Sequence, residues 1–282
     1  MDTKVIHIAD GVDGYVDLVR HVYRHGEESS PRGMKTREIE DAVIYIDDVH
    51  NTLPLGVGRS TVPGIGAVEA CQLIGGVSRP ETVIAVGPQF ANYTEDDGKF
   101  HGSYGTRTFG QYQVMVDRLR KDPESRQAVV TIWNPERDML EKKRDYPCTI
   151  LHQFRIRKNK LNMSVYMRSN DVWLGAAYDF FQFSRVQIAM ASILGVEPGT
   201  YGHHVGSLHI YESNFDAAEN LHYSTGATPR VPVFVGTSWD MVQTRARLCL
   251  DAAHDDSAFN RLLPEDRWYA TAMRNAIAKN AG

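Results

Sequence analysis

The sequence predicts a mixed α/β fold in which one sheet packs round a central helix that is buried on nearly every side. Three stretches predict it. ILHQFRIR (150–157) and LNMSVYMR (161–168) flank Lys158-Asn159-Lys160 as the arms of a β-hairpin, the second alternating apolar and polar residues. QAVVTIW (127–133) is a short apolar run of the kind found in buried strands. FFQFSRVQIAMASILG (180–195) is apolar nearly all round, the mark of a helix inside a fold rather than on its surface.

The other elements follow in chain order. Residues 1–40 are polar and loop-rich after a short amphipathic stretch, with HGEESSPRGMK predicted as exposed loop. AVIYI (42–46) is predicted as a strand. From Gly64 onward Ala67, Val68, Cys71, Leu73 and Ile74 recur at helical spacing until Gly75-Gly76 ends the run. Residues 91–105 are polar and glycine-containing, a predicted loop. FGQYQVMVDRLRKD (109–122) is an amphipathic helix with Tyr112, Met115, Val116 and Leu119 on one side, and NPERDMLEKKRDYPC is a polar connection. Val231 to Val235 is expected to form a last short strand before a helical tail. No repeat, low-complexity tract or linker interrupts the chain, so we expect a single domain over residues 1–282.

With 282 residues, 42% of them hydrophobic, the chain can bury a substantial core. A net charge of −4 argues against a general nucleic-acid surface but leaves room for a small anion held by a local group of arginines. No apolar run spans a bilayer and no basic, then apolar, segment opens the chain, so we expect a soluble, cytoplasmic protein with no membrane partner. Cys71, Cys148 and Cys249 lie far apart without a CxxC pair, which disfavours both a disulfide framework and a zinc site.

Tyr146-Pro147-Cys148-Thr149 says little by itself, because a lone cysteine is ordinarily a small buried apolar residue. Downstream of it stand MRSND (167–171), LGAAYDFFQFS (174–184) and HHVGSLHIYESN (203–214). In this order and spacing the chain closely resembles the thymidylate synthase family, whose pattern runs Pro-Cys, Arg-Ser-x-Asp, Leu-Gly-x-x-x-(Asn/Asp) and Gly-x-x-His-x-Tyr. DPESRQAVVTIWNP (122–135) and Tyr104-Gly105 extend the resemblance over roughly residues 60 to 215.

The resemblance implies a mixed sheet that packs back to back with that of a second copy in a homodimer whose subunits share active sites. It implies a pyrimidine nucleoside monophosphate as substrate, 5,10-methylenetetrahydrofolate as co-substrate, and no metal. Cys148 would be the nucleophile that adds to C6 of the ring, so that C5 gains enamine character. Arg168 and Ser169 match the phosphate-binding pair, Arg168 also supplying the positive charge a thiolate needs. Arg126 matches an arginine that reaches the phosphate of the other subunit, although Gln127 stands where a second arginine is common. Arg32 is a further candidate phosphate ligand, and an ordinary loop charge is the competing reading. Glu69 matches the catalytic glutamate, Tyr104 a tyrosine near the nucleophile, and Asp171 a residue that contacts the folate. His209 and Tyr211 match the pair that hydrogen-bonds the sugar.

Three departures sharpen the reaction. Asp179 stands where uracil-using members carry asparagine, and a carboxyl group can accept from N4 of cytosine while sharing a proton with N3. That is the change seen in the cytidylate hydroxymethylase branch. Residues 85–104 hold no tryptophan, Thr149 replaces a common histidine, and the chain ends AIAKNAG in place of an apolar closing tail; a wetter site suits addition of water to the transferred carbon. Ala176-Ala177 and Ser207 replace bulkier or acidic residues near the ribose, leaving room for a 2′-hydroxyl. The branch resembled most is therefore that of the CMP hydroxymethylases of nucleoside-antibiotic (mildiomycin) biosynthesis, giving 5-hydroxymethyl-CMP, with dCMP hydroxymethylation or thymidylate synthesis as alternatives. A nucleotide- or RNA-binding relative without the chemistry is the reading from a different class, and the joint presence of Cys148 and Glu69 speaks against it.

Overall fold

The computed structural model describes residues 4–139, 142–226 and 230–282. The first half holds β1 (Val5–Asp10), α1 (Asp13–His25), β2 (Glu27–Ser29), β3 (Thr36–Asp48), α2 (Pro63–Gly75), α3 (Pro80–Val86), α4 (Tyr104–Thr108), α5 (Gln111–Lys121) and β4 (Ala128–Thr131). The second holds α6 (Pro135–Asp138), β5 (Thr149–Arg157), β6 (Lys160–Met167), β7 (Asn170–Asp171), α7 (Ala176–Leu194), β8 (Glu197–Tyr211), α8 (Phe215–Glu219), α9 (Trp239–Ala252), α10 (Asp256–Asn260) and α11 (Arg267–Ala281). The strands form one mixed sheet in the order β1-β3-β8-β6-β5-β4, with β2 added to β3 and β7 to β8.

The hairpin is where the alternation placed it. Lys158 and Asn159 both adopt left-handed φ, 51° and 57°, as a two-residue turn with the twist of its flanking strands requires. The central helix starts earlier than its apolar run: α7 takes in Ala176–Asp179, and all of its residues except Ser192 and Leu194 are buried. Gly195, at φ +69°, closes it with a left-handed cap.

Residues 4–40 are far more ordered than their polarity suggests. Tyr15, Val16, Leu18, Val19 and Val22 line the buried side of α1. The Asp10 carboxylate accepts from the amides of Val12 (2.9 Å) and Asp13 (3.0 Å) at the start of that helix. β3 runs thirteen residues, not five, because its charged first half pairs with β2 on one side and β8 on the other. β1 pairs in parallel with β3, and its partner Val43 for Val5 lies far along the chain, beyond the reach of any local pattern. In the predicted loop at 91–105, α4 begins at Tyr104. The polar connection after β4 contains the short α6, and its residues 140 and 141 lie outside those described.

The strand expected at Val231–Val235 does not form. Those carbonyls serve side chains instead: Val231 O accepts from Arg185 (3.1 Å), Pro232 O from the Tyr269 hydroxyl (2.7 Å) and Val235 O from Arg245 (2.5 Å). Side-chain donors occupy the positions a neighbouring strand would need.

Candidate active site

β5 begins beside the end of β6, Thr149 opposite Met167, and there the nucleophile candidate meets its arginine. The Arg168 amide donates to the Cys148 carbonyl (2.9 Å), which fixes the two residues as neighbours. The guanidinium then bends back, Nε donating to Pro147 O (3.1 Å) and Nη2 lying 3.6 Å from the Cys148 sulfur. Trp133, just beyond β4, lies under that guanidinium with 5.9 Å between Cζ and the ring centre. Burial pushes the Cys148 thiol above its ordinary range, while Arg168 and, more weakly, Arg32 draw it down. Arg32 itself sits exposed in a tight turn at φ 56°, and its charge is felt at the same sulfur from a different part of the chain.

The other wall comes from the helices. Tyr104, the first residue of α4, stacks on Phe183 of α7 with ring centres 6.0 Å apart. α4 approaches α2 so closely that a Cβ on Gly105 would run into the carbonyl oxygens of Val77 and Gln72. Glu69 projects half-buried from an α2 whose other residues past Pro63 are all buried, and burial aided by the nearby Asp179 charge pushes its carboxyl up to about 8. Asp179, in the first turn of α7, is buried and pushed up to about 7 by desolvation, against two hydrogen bonds that pull it down. Asn170 Nδ2 donates to its Oδ2 (2.7 Å) and Gln182 Nε2 to its Oδ1 (3.0 Å). The same Gln182 nitrogen lies 3.5 Å from Glu69 Oε2. Cys148, Tyr104, Glu69 and Asp179 thus form one electrostatic neighbourhood: Asp179 raises the proton affinity of each of the other three.

β7 brings the remaining candidates to the β8 edge. Asp171 pairs with His209, and Asp171 Oδ1 accepts from the amides of Trp173 (2.7 Å) and Leu174 (3.0 Å). Asp171 Oδ2 is buried with no hydrogen-bond partner, so the carboxylate has an acceptor to spare. His209 is buried with Nδ1 3.2 Å from Ser207 O, and the Tyr211 ring meets it edge-on at 5.1 Å. Ser169 lies between Arg168 and β7, half-buried.

Two candidates stand apart. Ala176, expected to leave room for a 2′-hydroxyl by its small volume, is fully buried at the head of α7, as is Ala177. Arg126 flanks β4, whose Ala128 pairs with Phe154 of β5. Phe154 is six residues beyond Cys148, about 20 Å at the rise of a strand. Arg126 therefore opens onto a separate cleft with Ser125, Gln127 and Arg157, away from the cysteine of its own chain.

Several residues at the site escaped sequence reasoning. Asn170 was visible only as the variable position of MRSND, and Gln182 as one amide in an apolar helix. A buried amide must find partners, and that was the available signal. His203, Tyr201, Arg59 and Trp133 carried none: Arg59 reaches Trp173 O (2.7 Å) beside Asp171 only through the tertiary fold. Among the described residues no group of three or more His, Cys, Asp or Glu side chains is placed to hold a metal, and no helix is long and apolar enough to cross a membrane.

Comparison with known proteins fits this layout. A family model described as thymidylate synthase matches residues 13–238. The chain is 30% identical over 220 residues to the deoxyuridylate hydroxymethyltransferase of Bacillus phage SP01, a match covering 72% of this chain and 57% of that relative. The chain thus spans a little over half the length of this curated relative.

Proposed function

The chain belongs to the thymidylate synthase family, and from that premise we propose that it hydroxymethylates C5 of cytidine 5′-monophosphate, using 5,10-methylenetetrahydrofolate as the one-carbon donor. The observation that carries the choice of base is Asp179, a buried carboxyl between two amide donors at the head of the central helix. Once ionised, Asp179 is an acceptor on both oxygens, which opposes O4 of uracil but matches the N4 donor of cytosine and an N3 that has taken its proton.

In this reading Arg168, Ser169 and Arg32 hold the phosphate, and His209 and Tyr211 meet the sugar. Cys148 gives up its proton beside Arg168 and its sulfur bonds to C6, turning C5 into the carbon nucleophile. Proton sharing between Asp179 and N3 withdraws electrons from the ring and assists that addition. When bound, the folate supplies a one-carbon unit at the methylene level, and the unpartnered Oδ2 of Asp171 is suited to accept a hydrogen bond from it. Once C5 has bonded to that one-carbon unit, loss of the C5 proton to solvent and departure of tetrahydrofolate would leave an exocyclic methylene; Glu69, with its raised proton affinity, positions the water that adds there and takes up its proton. Elimination of the Cys148 sulfur from C6 then releases 5-hydroxymethyl-CMP.

A second copy completes the site by lending Arg126, which its own chain leaves remote from Cys148. Mixing Cys148→Ser with Arg126→Ala subunits tests this: each is inactive alone, and random re-pairing restores about a quarter of the parental sites in a C2 dimer.

The phage relative favours a second reading, in which the base is that of deoxyuridylate. Mass spectrometry after incubation with methylenetetrahydrofolate and, separately, CMP, dCMP, UMP or dUMP decides between them. Gain of one CH2O on CMP is the expected result. Gain on dUMP without gain on either cytosine nucleotide refutes the role given to Asp179, and a CH2 gain with formation of dihydrofolate identifies a thymidylate synthase.

A further inference from the structure

We infer that Asn170 and Gln182 are positioning residues that clamp Asp179 from both sides and thereby place the proton it shares with the base on N3 of cytosine. The clamp has this consequence only if the base is cytosine, as proposed above.

The orientation of Asn170 is not free. Its Nδ2 lies 2.7 Å from Asp179 Oδ2 and its Oδ1 lies 3.0 Å from His203 Nε2. With Asp179 ionised, turning the amide over would set its oxygen against a carboxylate oxygen, so in that state Nδ2 donates to Asp179 and Oδ1 accepts from His203. His203 therefore carries its hydrogen on Nε2, and its Nδ1 accepts from the Tyr201 hydroxyl at 2.9 Å. A one-way line of donors results: Tyr201 to His203 to Asn170 to Asp179. Every member is buried, and desolvation depresses His203 to about 3, keeping it in the neutral form the line needs. On the other side Gln182 donates to Asp179 Oδ1 at 3.0 Å. Gly175 leaves the space for this: a Cβ there would stand 3.0 Å from Asn170 Nδ2 and 3.3 Å from Asp179 Oδ2.

The groups that face Asp179 from other elements are Glu69 of α2, Tyr104 of α4, Cys148 before β5 and Tyr201 of β8. None of these is a cation. What favours the carboxylate over the carboxylic acid is the pair of amides. An empty site brings the proton in on Asp179; cytosine brings in a bare N3. Once the two face each other, the amide donors stabilise the charge left on Asp179, so the proton moves to N3. The ring then carries positive charge while Cys148 attacks C6, and the proton returns to Asp179 as the product leaves. Both oxygens of Asp179 keep further lone pairs for N4–H and N3–H, since a carboxylate accepts at about four positions.

The test is the pH dependence of kcat/KM for CMP in the parent, Tyr201→Phe, Asn170→Ala and Gln182→Met. The competent free protein carries a proton on Asp179, so its ionisation sets a basic limb. Loss of one amide donor raises the proton affinity of Asp179, moving that limb up by about one pH unit and lowering kcat about tenfold. Tyr201→Phe, which removes one hydroxyl and leaves the ring packed, moves the limb in the same direction by less. If Asn170→Ala does not fold, Gln182→Met and Tyr201→Phe carry the test. Variants that turn over CMP more slowly with the limb unmoved overturn the clamp while leaving the cytosine reading intact. A parent that accepts uracil nucleotides and refuses cytosine nucleotides overturns both.

Discussion

Replacing Asp179 by asparagine exchanges a titratable group for a neutral one of nearly the same shape, and the structure gives the stability consequence a sign and a size. In the folded chain Asp179 titrates at about 7, against about 3.9 for an exposed aspartate. A raised folded value means that the folded chain binds the proton more tightly than the unfolded one. Stability is therefore full below the unfolded value and is lost as pH rises from about 4 to about 7. At 1.36 kcal/mol per pKa unit the full loss is about 4 kcal/mol, of which about 3 kcal/mol develops between pH 5 and pH 8. Asparagine shows no such loss. It has a fixed penalty of its own, because both oxygens of Asp179 accept from amide nitrogens. With Asn170 held by His203, the introduced amide must turn its oxygen to Asn170 and its NH2 to Gln182, so Gln182 must flip or leave a donor facing a donor. That costs about 1–3 kcal/mol at every pH. Thermal melting from pH 5 to pH 8 should therefore find Asp179→Asn less stable than the parent in acid and level with it or above it in base. The relative gain is about 5 °C for a chain of this size. A melting difference that stays constant across that range refutes the assignment of a desolvated, protonatable carboxyl to position 179.

The same variant should lose about 100-fold or more in kcat/KM on CMP while gaining on uracil nucleotides, because its NH2 can donate to O4; steady-state kinetics on both bases checks this. Arg168→Ala removes the cation 3.6 Å from the Cys148 sulfur, so the pH midpoint for alkylation by iodoacetamide should move up; an unchanged midpoint contradicts its activating role. Arg185→Leu strips the hydrogen bonds from the carbonyls of Val49 (2.8 Å), His50 (3.1 Å) and Val231 (3.1 Å) in the core. It should cost about 3 kcal/mol or more, read by denaturant unfolding. Gly105→Ala drives a methyl into the carbonyls of Val77 and Gln72 and should destabilise by about 1–3 kcal/mol. It should also lower turnover, since Tyr104 is the next residue; wild-type melting in that variant rules out the close approach.

The hairpin, the central helix and α2 were legible because each declares its own period within a dozen residues. β1, the charged first half of β3 and the fifteen-residue β8 were not, because their pairing partners are remote and their polar residues carry no local signature. The extended segment at 231–235 failed for a related reason: Arg185, Tyr269 and Arg245 claim its carbonyls, and none is a sequence neighbour. At the site, Cys148, Arg168, Glu69, Tyr104 and Asp179 could be named from motifs and do come together. Asn170, Gln182 and His203 could not, since an amide or imidazole acquires meaning only from what it faces. The remoteness of Arg126 from Cys148 within one chain needed the ladder between β4 and β5 to be seen.

The burial of α7 has a consequence for how such a protein can change over generations. Asp179 and Gln182 sit on the most enclosed helix of the molecule, whereas Arg32 and Arg168 sit on exposed turns at its edge. If those arginines hold the phosphate as proposed, a lineage can retune that grip by small surface steps, each nearly neutral for folding. A change of base must pass through the interior, where a new donor at 179 has to be matched by Asn170 and Gln182 at the same time. Ancestral drift between pyrimidines in this scaffold should accordingly proceed by linked replacements at these three positions and seldom by one.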